Sequence, residues 1–358
     1  MEKLPLETQT LYAELLERLL AVETQRTIGR APGGFTNKMV KGETYCYFQY
    51  SDPGGILRQV YVGKRTPAVA RVVARFEQER TEFSADREGI QRLCAQLRAG
   101  GALITDTASA RVLKALADSG VFQLGGVLIG THAFTVLGNM LGLRWTSAAL
   151  RTQDVDVAMD ASVSVALPPL QADIPKALES LEMGFLPVPA LDMKHPSTSF
   201  KVRGKSLRVD VLTPQGSPRS RKPVLIGRFN VAAQPLPFLD FLIEGAEPAA
   251  VVNGGGVLIQ VPTPARFALH KLIISRERQA ALHGKSEKDL SQAAQVMSVL
   301  VDERPGDLQL AWEAVEERGA GWIRRAIAGI DAIKRVNPTA HEKSCAVLPV
   351  ARTRRART

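Results

Sequence analysis

Near the start of the chain apolar residues recur at helical spacing. Leu11, Leu15, Leu16, Leu19 and Leu20 predict an amphipathic helix over residues 4–26. Residues 31–41 carry Gly and Lys and read as a loop. Two runs with a period of two follow, GETYCYFQY and GILRQVYVG, separated by the turn-formers Ser51, Asp52, Pro53, Gly54 and Gly55. Together they predict a β-hairpin over about 42–64. Residues 66–120 read as mostly helical, with charges alternating in sign as on a solvated face and with Gly100, Gly101 and Gly120 as helix ends.

The middle of the chain changes character. Val127, Leu128 and Ile129 form a short apolar run that stops at Gly130 and Thr131 and turns into a helical pattern. After a loop with Arg144 and Arg151 comes a second strand, in which Asp154 and Asp156 alternate with Val155, Val157 and Ala158. Side chains two apart on a strand share a face, so both carboxylates point one way while the valines point into the core. Two like charges about 6 Å apart repel by about 3 kcal/mol at an effective dielectric near 20. A divalent cation offsets that repulsion, and hard cations prefer carboxylate oxygens.

A helix is expected over Ile174 to Glu182, after a break at Pro168 and Pro169, followed by a polar loop, LDMKHPSTS. The stretch STSFKVRGKSLRVDVLTP then reads as a hairpin turning at Gly204 and Lys205. A two-residue turn pairs Arg203 with Ser206, Lys201 with Arg208 and Ser199 with Asp210, all on one face. Phe200, Val202, Leu207, Val209 and Val211 fall on the other, toward the core. A basic Pro/Ser loop with Arg219, Arg221 and Lys222 follows, then a strand region, Val251 to Val261, interrupted by Asn253 to Gly256. VPTPARFALHKLIISRERQ starts a helix with proline in its first turn, and GKSEKDLSQAAQVM starts another. Helices with Trp312 and Trp322 fill residues 300–340, and the end, with Arg352, Arg354, Arg355 and Arg357, reads as a disordered basic tail.

A strand ending in Gly130-Thr131, a helix, Asp154-Val155-Asp156 on the next strand and Asp210 on a later one resemble the signature of the DNA polymerase β superfamily of nucleotidyltransferases. The wording GTHAFTVLGNMLG with TQDVDVA is most similar to the bacterial nucleotidyltransferase-like proteins of that superfamily. Thr131 departs from the usual Gly or Ser but keeps a small hydroxyl.

The resemblance implies an α/β (α+β) fold with a mixed sheet flanked by helices, at residues 121–262. It is preceded by a helical region with the hairpin (1–120) and followed by a helical region (263–340) and the tail (341–358). It implies two divalent ions, Mg²⁺ or Mn²⁺, held by Asp154, Asp156 and Asp210, and a nucleoside triphosphate such as ATP as substrate. Gly130 and Thr131 would receive the phosphates at the helix N-terminus, with Arg208 beside them. By the same resemblance Lys271 approaches the nucleotide phosphates, with Ser275 and Arg278 on its side of the helix. The expected chemistry is in-line displacement at the α-phosphate with loss of pyrophosphate. His132 is either a cap, a packed residue or a catalyst; Asn139 and Arg144 serve either packing or substrate. Lys288-Asp289 is given no chemical role.

The composition is that of an ordinary soluble globular chain, 45% hydrophobic and 23% charged over 358 residues. No apolar run is long enough to span a bilayer, and MEKLPLETQT lacks the apolar core of a signal peptide, so a cytoplasmic protein with no membrane partner is expected. Cys46, Cys94 and Cys345 lie far apart, as reduced thiols do. The net charge of +10 favours a polyanionic partner. Tyr45, Tyr47, Phe48, Tyr50 and Tyr61 interleave with Lys38, Lys41, Arg58, Lys64 and Arg65, so the hairpin either covers helices or stacks on nucleic acid. An RNA 3′ end, tRNA included, is therefore the preferred acceptor. A protein side chain or a small molecule, as in toxins or phage defence, is the alternative, as is a catalytically silent relative that only binds.

Overall fold

A computed structural model of the chain describes residues 1–24, 33–51, 57–146, 152–161, 172–189, 197–217, 221–277 and 283–349. The turn at Asp52 to Gly55, Arg151, the Pro168-Pro169 break, most of the polar loop before Ser197, Arg219, Arg278 and residues 350–358 lie outside the described residues, whereas residues 341–347, expected in the disordered tail, belong to the last helix.

The chain opens with a two-residue strand, β1 (Glu2–Lys3), and α1 (Leu6–Thr24). Then come β2 (Gly34–Val40), β3 (Glu43–Ser51), β4 (Leu57–Lys64), the long α2 (Pro67–Ala99) and α3 (Thr107–Asp118). The loop expected at 31–41 is thus largely a strand. Gly34 through Val40 pair antiparallel with β3, so the hairpin is two strands of a three-stranded sheet, β2-β3-β4. Its Phe35 and Phe48 pack edge-on against Phe76 of α2, and the extra strand contributes Phe35 to that contact.

The central elements are β5 (Val127–Ile129), α4 (Gly130–Met140), β6 (Leu143–Arg144), β7 (Asp154–Ala158), α5 (Ile174–Glu179), β8 (Phe185–Pro187), β9 (Ser199–Val202) and β10 (Arg208–Pro214). After them come β11 (Val224–Ile226), a 3-10 turn at Gly227–Phe229, β12 (Val231–Leu236), α6 (Leu239–Ile243), β13 (Glu247–Val251) and β14 (Val257–Val261). The last are α7 (Pro264–Glu277), α8 (His283–Glu303), α9 (Pro305–Glu317), α10 (Ala320–Ile333) and α11 (Pro338–Val347). Arg144, expected in a loop, lies on β6, which pairs with β1. The helix expected to reach Glu182 stops at Glu179.

Among the described residues the main sheet runs β11-β12-β10-β7-β5, with β8 and β9 continuing from β10. β7 and β10 are parallel, whereas β5 joins β7 antiparallel, so the sheet is mixed. The hairpin register is the expected one: Lys201 faces Arg208 and Ser199 faces Asp210. Phe200, Val202, Leu207, Val209 and Val211 are buried, as the alternation requires.

The C-terminal helices share this core. Phe267, Leu272, Val296, Met297, Trp312 and Ile330 form one continuous cluster with Val127, Val155 and Val209. A smaller cluster joins α1 to the C-terminal half of α2 and to β13, through Leu15, Leu19, Ile90, Leu97 and Ala250. Tyr12 fastens it, since its hydroxyl donates to the Ala250 carbonyl and accepts from the Ala250 amide, both at 3.1 Å.

Gly329 of α10 lies on the backbone of α7, where an added Cβ would stand 2.6 Å from Leu272 Cβ and 2.7 Å from its carbonyl oxygen. Backbone cannot yield as a flexible side chain can. Gly329→Ala is therefore expected to destabilise the protein by about 1–3 kcal/mol, read as a lower urea midpoint; an unchanged midpoint would contradict this packing.

Candidate active site

The site begins where β5 ends. Ile129 pairs with Asp156 across β5 and β7, and Gly130 turns into α4 with φ +70. A Cβ on Gly130 would stand 2.3 Å from Asp156 Oδ2. Glycine is needed here twice over, for the left-handed backbone and for room beside the carboxylate. Ile129, the residue before the helix, makes no side-chain cap, so the first amides of α4 stay available to an anion.

α4 is held firmly against α7. Phe134 stacks between Trp145 (4.8 Å between centroids) and Phe267 (6.0 Å), and Trp145 Nε1 donates to the Phe134 carbonyl at 2.6 Å. Asn139 grips both the amide and the carbonyl of Leu103, each at 2.8 Å, and so serves packing.

The parallel register sets Asp210 beside Asp156 and Arg208 beside Asp154. Neighbouring strands lie about 4.8 Å apart, so the three acids expected from the sequence meet on one face at one end of the sheet. Val155, Val157, Val209 and Val211 take the buried face. Burial raises the Asp156 pKa to about 7, with the charges of Asp210 and Asp154 adding to the shift and Lys271 and Lys285 opposing it. Asp154 is exposed. Asp210 Oδ1 accepts from Arg208 Nε at 2.8 Å, and the same nitrogen donates to Ser199 Oγ at 2.7 Å.

Among the described residues no three His, Cys, Asp or Glu side chains are gathered as a group able to hold a metal. At the acid cluster Arg208 holds one oxygen of Asp210. The donor set still fits a hard cation, since it offers carboxylate oxygens, and burial, with the charges of Asp210 and Asp154 adding to it, keeps the proton on Asp156 near neutrality.

Cations surround the cluster. Lys271 is buried and bound to Asp289 Oδ1 at 2.6 Å, so its ammonium is an internal ion-pair partner that acts on Asp156 through space. Lys288 faces the same region. Burial lowers its pKa, as does the Lys271 charge, while Asp289, Asp154 and Asp156 act the other way. Gln292 Nε2 donates to Thr131 Oγ1 at 3.3 Å. Lys285, Lys288 and Gln292 stand at i, i+3 and i+7 and therefore share one face of α8. Sequence reasoning missed Lys285 and gave Lys288 no chemical role; the i, i+3, i+7 spacing on the helix was the available signal. Ser275, expected beside Lys271, is buried and donates to the Leu272 carbonyl at 2.8 Å. His132 is 4% exposed, with no hydrogen-bond partner at Nε2 among the described residues, and burial depresses its pKa, so it stands neutral. No helix among the described residues is long and apolar enough to cross a membrane.

Two outcomes follow from this geometry. The folded protein holds the Asp156 proton up to about pH 7, whereas the unfolded chain releases it near pH 4. The contribution of this group is thus complete below pH 4 and is lost as pH rises through 7. In chelator, Asp156→Asn should raise stability at pH 8 by about 1–3 kcal/mol and change it little at pH 4, as urea midpoints at the two pH values will report. Gly130→Ala should disrupt the site itself and lower the urea midpoint, since its Cβ would strike Asp156 Oδ2; an unchanged midpoint would contradict that close approach.

No curated protein and no solved structure matches the chain. A nucleotidyltransferase family model matches residues 107–316. The match runs from the first residue of α3 nearly to the end of α9 and takes in Gly130, the acid cluster and both lysine-bearing helices. By that match, over more than half its length, the chain belongs to the nucleotidyltransferase family and is an enzyme of nucleotidyl transfer.

Proposed function

We propose that this enzyme is a bacterial member of the DNA polymerase β superfamily, working in the cytoplasm. It moves a nucleoside monophosphate from an NTP to a hydroxyl, with an RNA 3′ end, tRNA included, as the acceptor. The observation that carries the reading is the register of β10 on β7, which brings Asp210 against Asp156 beside the start of α4. Asp154, Asp156 and Asp210 would hold Mg²⁺ or Mn²⁺, which would supply positive charge to the phosphates and acidity to the attacking hydroxyl.

The chain itself does the rest. The uncapped amides at the start of α4 hold phosphate oxygens, and Gly130 lets them come close. Thr131 accepts from Gln292, which leaves its own proton to donate to a phosphate. Lys285 and Lys288 face the charge of the departing pyrophosphate. Arg208 is held by Ser199 as well as by Asp210, so it keeps its place when the carboxylate is engaged elsewhere. The net charge of +10 supports a polyanionic acceptor.

The test is incubation with α-labelled NTPs, Mg²⁺ or Mn²⁺, total RNA and lysate protein. Label is expected in RNA, and Asp154→Ala should cut it by at least about 10²-fold, the scale of a principal electrostatic contribution. Label in the protein or small-molecule pool would overturn the acceptor, and no label in any pool would overturn the reaction.

A further inference from the structure

The sheet β2-β3-β4 has two unlike faces. Inward, Phe35 and Phe48 meet Phe76 of α2, and Cys46 is 1% exposed. Outward stand Tyr45, Tyr47 and Tyr61. Tyr61 lies 6.2 Å from Tyr45 and 5.5 Å from Tyr47, centroid to centroid. A bulge at Cys46/Tyr47 shifts the register so that Tyr47 faces Tyr61 and Tyr45 faces Lys64. Lys38 Nζ lies 5.0 Å over the Tyr47 ring, and Lys64 is paired with Glu43 at the edge of the cluster.

This face is left open. Tyr61 is 57% exposed, and Val40 and Leu57, which alternation places on the same face, are exposed with it. Three tyrosine rings side by side, partly or fully open to solvent, with Val40 and Leu57 exposed on the same face, mark a contact surface. Its charge decides the occupant. Lys38, Lys41, Arg58, Lys64 and Arg65 stand against Glu43 among the described residues of the segment. Phe76 lies fourteen residues before Ile90 on α2, so the sheet sits about 20 Å along that helix from the smaller core.

We propose that the outward face of β2-β3-β4 binds single-stranded nucleic acid, with bases stacked on Tyr45, Tyr47 and Tyr61 and the backbone held by the surrounding lysines and arginines. Every base has a π-face, so the site accepts strands of any sequence but needs them unpaired. The choice of RNA as probe rests on the acceptor proposed above. Binding itself is read in chelator without NTP, so its result is separate from whether label is transferred.

The experiment is fluorescence anisotropy of a short labelled single-stranded RNA, and of the same RNA as a duplex, with the full chain at two salt concentrations. The substitutions Tyr45→Ala, Tyr47→Ala and Tyr61→Ala together should weaken single-strand binding about tenfold or more. The corresponding Phe substitutions, which keep the rings, should bind within a few-fold of wild type. Affinity should fall steeply with salt, and less steeply for Lys38→Ala. Circular dichroism checks the fold; if the triple Ala variant is unfolded, Tyr61→Ala alone decides, since its ring is the most exposed. Unchanged binding by the folded Ala variant would overturn the proposal. So would equal loss in the Phe variant, a duplex bound as tightly as the single strand, or no binding of single strands by the wild type.

Discussion

The contact between Gly130 and Asp156 constrains everything around it. A glycine with a left-handed backbone lets the start of α4 close down on a carboxylate that any side chain would strike. The position of Asp156 is set by β7, and β7 is clamped between β5 and β10. Because β10 runs parallel to β7 in register, Asp210 follows Asp156 to the same place. Negative charge is thereby gathered where the fold also offers uncapped amides. Burial, with the charges of Asp210 and Asp154 adding to it, keeps the Asp156 proton on to about pH 7.

The rest of the molecule balances that charge. Arg208 reaches Asp210 along its own strand, and α8 presents Lys285 and Lys288 from across the site. Lys271 is fully engaged by Asp289 in the interior. Breaking one side of such a pair costs about 3–5 kcal/mol, so this lysine also ties α7 to α8. The positions of the two helices depend in turn on the stacked rings of Phe134, Trp145 and Phe267 and on the close approach of α10 at Gly329.

The amino-terminal part is built differently. Half of α2 is buried with α1 against β13, and half carries a small sheet that packs Phe35 and Phe48 on Phe76 and leaves Tyr61 exposed. The two halves of one helix therefore serve a core and a surface.

Much of this was legible in the chain. Alternation alone set the faces of β7 and of the β9–β10 hairpin, because a period of two admits one inward set, and the Gly204-Lys205 turn set the register that pairs Ser199 with Asp210. The strand at Gly34 to Val40 was not legible, since its polar residues match no periodic pattern and it exists only by pairing with β3. Nor was the pairing of Lys271 with Asp289, because residues eighteen apart on two successive helices declare nothing about which faces meet. The sequence by itself determined the acids, the glycine and the local elements, whose causes lie within a few residues. Tertiary structure alone decided which charges share the site, because electrostatic neighbours are chosen by packing between elements distant along the chain.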